Sequence, residues 1–202
     1  MAIRVFSILL LIILNACSDS NQSQHQDDSL SVSITLVSLP NSITYNKPTT
    51  PDGKVEYNWG VVFDTNGDGA INQGDIALRI LHFKSPGSVE QTGTINDLVA
   101  QLWVYTTDTQ TTGKVDAKSS LSGNTITISI DKSLHQSLRS INESTQVYFV
   151  SSTYDSNAGV SKFDYYPGFY TLMAIPGDGN FTDPQGDAEF QYIDMVSMNI
   201  SF

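Results

Sequence analysis

Val55-Glu56-Tyr57-Asn58-Trp59-Gly60-Val61-Val62-Phe63-Asp64 is the stretch that decides the fold. Val55, Tyr57, Trp59, Val61 and Phe63 alternate with Glu56, Asn58 and Gly60, the period of a strand with one buried face. The same alternation recurs on both sides of it. Val32, Ile34 and Leu36 alternate with Ser33 and Thr35, and Ile126, Ile128 and Ile130 with Thr125, Thr127 and Ser129. Leu98, Ala100, Leu102 and Val104 alternate with Val99, Gln101, Trp103 and Tyr105. A further strand is expected over Gln146 to Thr153, and a last one with Val196, Met198, Ile200 and Phe202 on one side and Ser197, Asn199 and Ser201 on the other.

Turn residues punctuate these runs at Pro51-Asp52-Gly53, Ser122-Gly123-Asn124, Asn157-Ala158-Gly159 and Pro176-Gly177-Asp178-Gly179-Asn180. One short helix is expected from Lys132 to about Ser140, capped by Asp131, with Leu134, Leu138 and Ile141 on one face. Many turn-bounded strands imply antiparallel sheets, and two packed sheets bury one face of each. The sequence therefore predicts an all-β protein, an antiparallel β-sandwich (jelly-roll or Ig-like) with one short helix. The sandwich is expected to run as one domain from residue 30 to residue 202.

Composition agrees. Of 21 acidic residues, 17 are Asp and 4 are Glu, and Asp favours turns, caps and cation ligation over helix surfaces. The formal charge of −11 excludes nucleic acid as a natural partner.

The N-terminus reads as a processed signal. Arg4 precedes an unbroken apolar run from Val5 to Leu14, too short for a bilayer core, which takes about 20 apolar residues. Leu14-Asn15-Ala16-Cys17 resembles the lipobox of bacterial lipoproteins. That resemblance implies cleavage after residue 16 and fatty acyl chains, palmitate among them, on Cys17, which anchor the protein to a membrane. Cys17 is the one cysteine in the chain, so lipidation also accounts for a thiol without a disulfide partner in an exported protein. Loss of Arg4 leaves 9 basic against 21 acidic residues, a charge of −12. Residues 17–29, polar and without a large apolar side chain, are expected to form a disordered tether. By resemblance to lipoprotein sorting rules, Ser18 after the cysteine points to the outer membrane of a bacterial envelope.

Asp64-Thr65-Asn66-Gly67-Asp68-Gly69-Ala70-Ile71-Asn72-Gln73-Gly74-Asp75 is the most specific motif of the remainder. Oxygens at positions 1, 3 and 5 converge on one cation, glycine at 6 permits the sharp turn, and positions 7, 9 and 12 complete the sphere. Asp64, Asn66, Asp68, Ala70, Asn72 and Asp75 are the expected calcium ligands. The segment resembles an EF-hand loop, and more closely the dockerin version, because Ile71-Asn72 follows the glycine and position 12 is Asp. Dockerins carry two copies on helices; here one copy follows a strand pattern, so the likeness is confined to the loop. Asp178, Asn180 and Thr182 imitate the first half of a second loop, but Asp183 stands where its glycine should be. Ile76, Leu78 and Ile80 alternate after the loop, which favours a return strand over an exiting helix.

Enzyme signatures are sparse: no G-x-S-x-G or H-E-x-x-H motif is present, and no catalytic residue is assigned. His25 falls in the tether, His82 at a strand end and His135 on the short helix. Asp183 and Asp187 read as turn or calcium residues. Aromatic side chains offer a binding surface, since sugar rings stack on exposed Trp and Tyr faces. Trp59 belongs to the buried set of its strand. Trp103 shares its face with Gln101 and Tyr105, and Asp164-Tyr165-Tyr166-Pro167-Gly168-Phe169-Tyr170 is the most aromatic stretch, so Trp103, Tyr105, Tyr165 and Tyr166 are the candidate ligand-binding residues. Trp59-Gly60-Val61-Val62-Phe63-Asp64, with Asp183-Pro184-Gln185-Gly186-Asp187 before a final strand, resembles family-9 carbohydrate-binding and DOMON sandwich domains. That likeness implies sugar or haem binding, although Met173, Met195, Met198 and His82 match no haem-ligand motif. The expected function is a non-catalytic, calcium-stabilised, membrane-anchored lipoprotein that binds a glycan or another envelope component. A structural envelope module without a small ligand, and a glycan hydrolase using paired carboxylates, are the alternatives.

Overall fold

The computed structural model describes residues 28–39, 42–45, 55–83, 91–94, 98–155, 160–189, 191 and 193–202. The signal segment, Cys17, and the expected turns at 51–53 and 157–159 lie outside the described residues. In chain order the first strands are β1 (Ser29–Leu36), β2 (Ser42–Tyr45), β3 (Val55–Asp64), β4 (Ile76–Phe83), β5 (Gln91–Thr94), β6 (Leu98–Tyr105) and β7 (Thr111–Asp116). There follow β8 (Lys118–Ser122), β9 (Thr125–Asp131), a helical segment, β10 (Gln146–Asp155), β11 (Val160–Tyr166), β12 (Met173–Ala174), β13 (Asn180–Thr182) and β14 (Met195–Ser201).

The protein is a mostly-β sandwich of two antiparallel sheets. The smaller sheet runs β13-β14-β1-β9-β8, and the larger runs β11-β10-β3-β4-β6-β7 with β12 alongside β10. β2 and β5 pair in a separate two-stranded ribbon. Burial follows the alternation read from the sequence. Leu30, Val32, Ile34 and Leu36 of β1 and Ile126, Ile128 and Ile130 of β9 point inward, against Trp59, Val61 and Phe63 of β3 and Ile76, Leu78 and Ile80 of β4. Each such side chain contributes about 1.5–3 kcal/mol on leaving water. The opposite face of the smaller sheet carries rungs of hydroxyls, Ser31 with Ser129 at 3.3 Å, Ser33 with Thr127 at 2.9 Å and Thr35 with Thr125 at 2.8 Å, which favour this register by cross-strand pairing. Gly60 lets β3 and β4 close up, since a Cβ there would lie 2.5 Å from the Leu78 carbonyl oxygen.

Three local expectations are revised. The register shifts between Thr35 and Leu36, so Leu36 faces Met195 where regular pairing would bring Val196. Met195, Met198 and Ile200 are therefore the buried set of β14, while Phe202 is exposed beneath Lys132, whose Nζ lies 5.7 Å from the ring centroid. The expected single helix is broken in two: a 3₁₀ turn, Lys132–Leu134, and one α turn, α1 (Gln136–Arg139). His135 between them is extended, and its Nδ1 accepts the Ser137 amide, so this histidine is a cap. Asp131 caps the first turn as expected, accepting from the Ser133 amide at 2.7 Å. Leu138 and Ile141 are buried but Leu134 is exposed. The tether's expected last residue, Ser29, is already the first residue of β1.

Candidate functional site

The loop from Asp64 to Asp75 joins β3 to β4, the β-hairpin context favoured by the alternation of Ile76, Leu78 and Ile80. Its two end carboxylates are buried, and both are held by amides. Asp64 accepts from Gly67 at 2.7 Å and Gly69 at 2.9 Å. Asp75 accepts from Thr65 and Asn72, each at 2.8 Å. Gly67 and Gly69 take φ of +75° and +83°, the left-handed region that glycine enters without strain. Between the ends, Asn66, Asp68 and Asn72 close on one another. The Asn72 amide donates to Asp68 at 2.6 Å and the Asn66 amide donates to Asn72 at 2.9 Å.

Positions 3, 5 and 9 of the motif are thus linked side chain to side chain, and each carboxylate oxygen keeps lone-pair capacity beyond its amide bond. The donor set fits a hard, oxygen-preferring cation. The loop is closed by its own amides, and the Asp64, Asp68 and Asp75 carboxylates do not gather as tightly as a second acidic group does.

That second group is absent from the expected ligand set. Asp164 on β11, Asp183 after β13 and Asp187 in the following loop bring carboxylate oxygens within 4.8 Å of one another. Asp194, just before β14, adds a fourth charge that acts on Asp164 and Asp183 and is itself acted on by Asp187. Asp164, Asp183 and Asp194 are 4–6% exposed. Burial, the Asp187 and Asp194 charges and little else oppose ionisation of Asp164, which titrates at about 6 although the Met195 amide, at 2.9 Å, favours its charged form. Burial and the three neighbouring carboxylates push Asp183 up to about 7.

The aromatic candidates divide by strand face. Trp103 and Tyr105 of β6 lie on the outer face of the larger sheet, where Tyr105 packs with Tyr148, Val150 and Val62 and with half-buried Trp103 and Tyr165. Tyr165 joins them because it pairs with Val150. Tyr166, the next residue, turns to the sandwich interior and packs edge-on against Phe181, 6.4 Å between centroids. Adjacent strand residues face opposite ways, so the structure gathers Trp103, Tyr105 and Tyr165 and separates Tyr166. Trp59 is fully buried and stacks on Tyr57 at 5.4 Å.

A groove of about 190 Å³ opens on this outer face, lined by Tyr105, Tyr148, Tyr165, Tyr170 and Phe163 with Asn58, Arg79 and Asp108. Phe163 and Tyr170 of its lining, and Phe169 beside it, are 50–64% exposed; none was among the candidate ligand-binding residues, although Phe169 and Tyr170 fall in the aromatic stretch from Asp164 to Tyr170. Phe163 stacks on Tyr165 at 5.5 Å, Phe169 meets Tyr165 edge-on at 5.0 Å, and Tyr170 meets Tyr148 edge-on at 5.9 Å. Tyr170 holds this position at φ +50°, an uncommon conformation for a bulky side chain. The Arg79 guanidinium donates to the Tyr105 hydroxyl at 3.3 Å and lies 5.8 Å from the Trp103 ring. Its Nε and the Asn58 Oδ1 have no protein partner among the described residues. Burial, with Tyr170 and Tyr105 close by, raises Tyr165 to about 12, so at neutral pH it is an uncharged hydroxyl.

No family model matches this chain, and no curated protein or solved structure matches it either.

Proposed function

We propose that this chain is a calcium-stabilised, non-catalytic lipoprotein, held on a bacterial envelope membrane by lipid on Cys17, whose sandwich binds a glycan or another envelope component. The observation that carries the binding part is the outer-face groove. Exposed aromatic rings beside a cation, an amide and a carboxylate are the chemistry that takes a sugar: ring faces stack on C–H surfaces, and polar groups orient hydroxyls. The non-catalytic part rests on access. The tightest carboxylates, Asp164 and Asp183, are 5–6% exposed, too enclosed to meet a sugar ring. Calcium is supported by the motif's spacing and the side-chain links among Asn66, Asp68 and Asn72, and the anchor by the lipobox-like run ending at Cys17.

A glycan array with and without chelator tests the binding part. The wild type is expected to retain a defined set of glycans, and Tyr165→Ala with Tyr170→Ala to bind them about tenfold more weakly, the loss of roughly 1.4 kcal/mol of stacking. An array without signal under both conditions defeats the sugar reading. For the loop, calcium is expected to raise the melting temperature of the wild type, and Asp64→Ala with Asp68→Ala to remove the loop's share of that rise. An unchanged wild-type melting curve on adding calcium defeats the loop assignment.

A further inference from the structure

Two of the three buried carboxylates gathered between the sheets keep an oxygen without the partner that burial demands. Asp164 comes from the edge strand of the larger sheet, Asp183 follows β13 and Asp194 precedes β14 in the smaller sheet, and Asp187 lies on the loop joining them. Every charge acting on Asp164, Asp183 and Asp194 is another carboxylate. The nearest described cation by sequence, Lys162, is occupied 2.6 Å from Glu189. Two oxygens stand out. Asp183 is 5% exposed and its Oδ2 has no hydrogen-bond partner, while Asp194 is 4% exposed and its Oδ1 has none. Asp194 uses its other oxygen on the Gly186 amide at 2.8 Å, which sets its carboxylate beside Asp187. An unpaired buried carboxylate costs several kcal/mol; here Asp183 converges with Asp164 and Asp187, and Asp194, outside that 4.8 Å group, acts on Asp164 and Asp183 through space.

We infer that Asp164, Asp183, Asp187 and Asp194 form a second calcium site, separate from the 64–75 loop, that ties the two sheets together. The donor set is all oxygen, which selects a hard cation. Calcium accepts six to eight oxygens in flexible geometry, whereas magnesium keeps several of its waters, for which three carboxylates at 4–6% exposure leave little room. Asp187 is exposed and is the entry side. Bound cation would cancel the mutual repulsion, satisfy the Asp183 and Asp194 oxygens, and join β11 to the strand ends on either side of the 183–194 loop. No acid-base role is open to carboxylates committed in this way.

Calcium stoichiometry measured by equilibrium dialysis on the full chain, in parallel with melting curves in chelator, tests the site. Asp183→Asn with Asp187→Asn is expected to bind one calcium fewer per chain than wild type. In chelator the same variant is expected to melt higher, because two repelling charges are gone and the shape is kept. Asp64→Ala with Asp68→Ala is expected to retain one calcium, which separates this site from the loop and from the groove. Asp194→Asn, which changes a single charge, is expected to weaken that remaining calcium at least tenfold while melting no lower than wild type in chelator. An unchanged stoichiometry in Asp183→Asn with Asp187→Asn, or loss of all calcium in the loop variant, overturns the proposal. So does magnesium filling this site at equal concentration in preference to calcium.

Discussion

Phe149→Ala is expected to cost about 3–5 kcal/mol of folding stability, read as a shift of the urea midpoint with an unchanged slope. Phe149 is completely buried on β10, the strand that pairs with β3 on one side and β11 on the other. Its ring meets Phe181 of β13 edge-on at 4.9 Å, so it is one of the contacts that join the two sheets across the core. Truncation removes both its own transfer energy and the facing surface for Phe181, and strands on either side cannot collapse into the space without breaking register. Domains of this size are stable by about 5–15 kcal/mol, so the variant should sit near the edge of folding. A cost below about 1 kcal/mol would mean that the sheets do not pack through this ring.

The second large effect is a pH dependence that changes sign with calcium. In chelator, folded Asp164 holds its proton to about pH 6 and Asp183 to about pH 7, whereas the unfolded chain releases both near 3.8. Between those values the folded state binds more protons, so stability falls as pH rises from about 4 to 7. The melting temperature of the metal-free protein is expected to drop by several degrees over that window. Asp131, whose pKa is lowered by the Ser133 hydroxyl and then the Ser133 amide, and Asp178, lowered by the Asn180 amide, contribute below it and in the opposite sense. With calcium the charged form is the one that binds, protons compete, and melting should rise with pH. Asp183→Asn is the control, expected to flatten the slope in chelator. A chelated wild type that melts equally at pH 5 and pH 7.5 would contradict the buried-carboxylate account.

What the sequence made legible, and what it did not, follows from how far each signal reaches along the chain. The sandwich was readable because alternation in β1, β3, β6 and β9 is a property of consecutive residues and burial selects one face at a time. The hairpin loop from Asp64 to Asp75 was readable for the same reason, its residues being consecutive and the strands on either side of it alternating. Val196 is expected on the side of Met198 and Ile200 because a shifted register between Thr35 and Leu36, fixed by pairing with a strand about 160 residues away, has no local signature, and Phe202 is expected there because alternation does not show that β14 stops at Ser201. Pairing Tyr165 with Tyr166 as ligand residues overlooked that neighbours on β11 face opposite ways, and Phe163, two residues earlier, was the proper companion. Asp183 and Asp187 were legible as turn or calcium residues, but their meeting with Asp164 and Asp194 was out of reach, because these residues share no common spacing and come from strand ends of both sheets.

β1 is the central strand of its sheet, paired along Ser29 to Thr35 with β9 and along Ser31 to Leu36 with β14, antiparallel to both. It is also the first described strand after Cys17. Under the proposed attachment through lipid on Cys17, a force on the domain would enter through this strand. The ladders on both flanks would then be loaded in shear, many bonds at once, instead of being peeled one at a time from an edge. A strand in the middle of the sheet is the mechanically strongest place to fasten a leash, and cations that clamp the far strands would stiffen the same path.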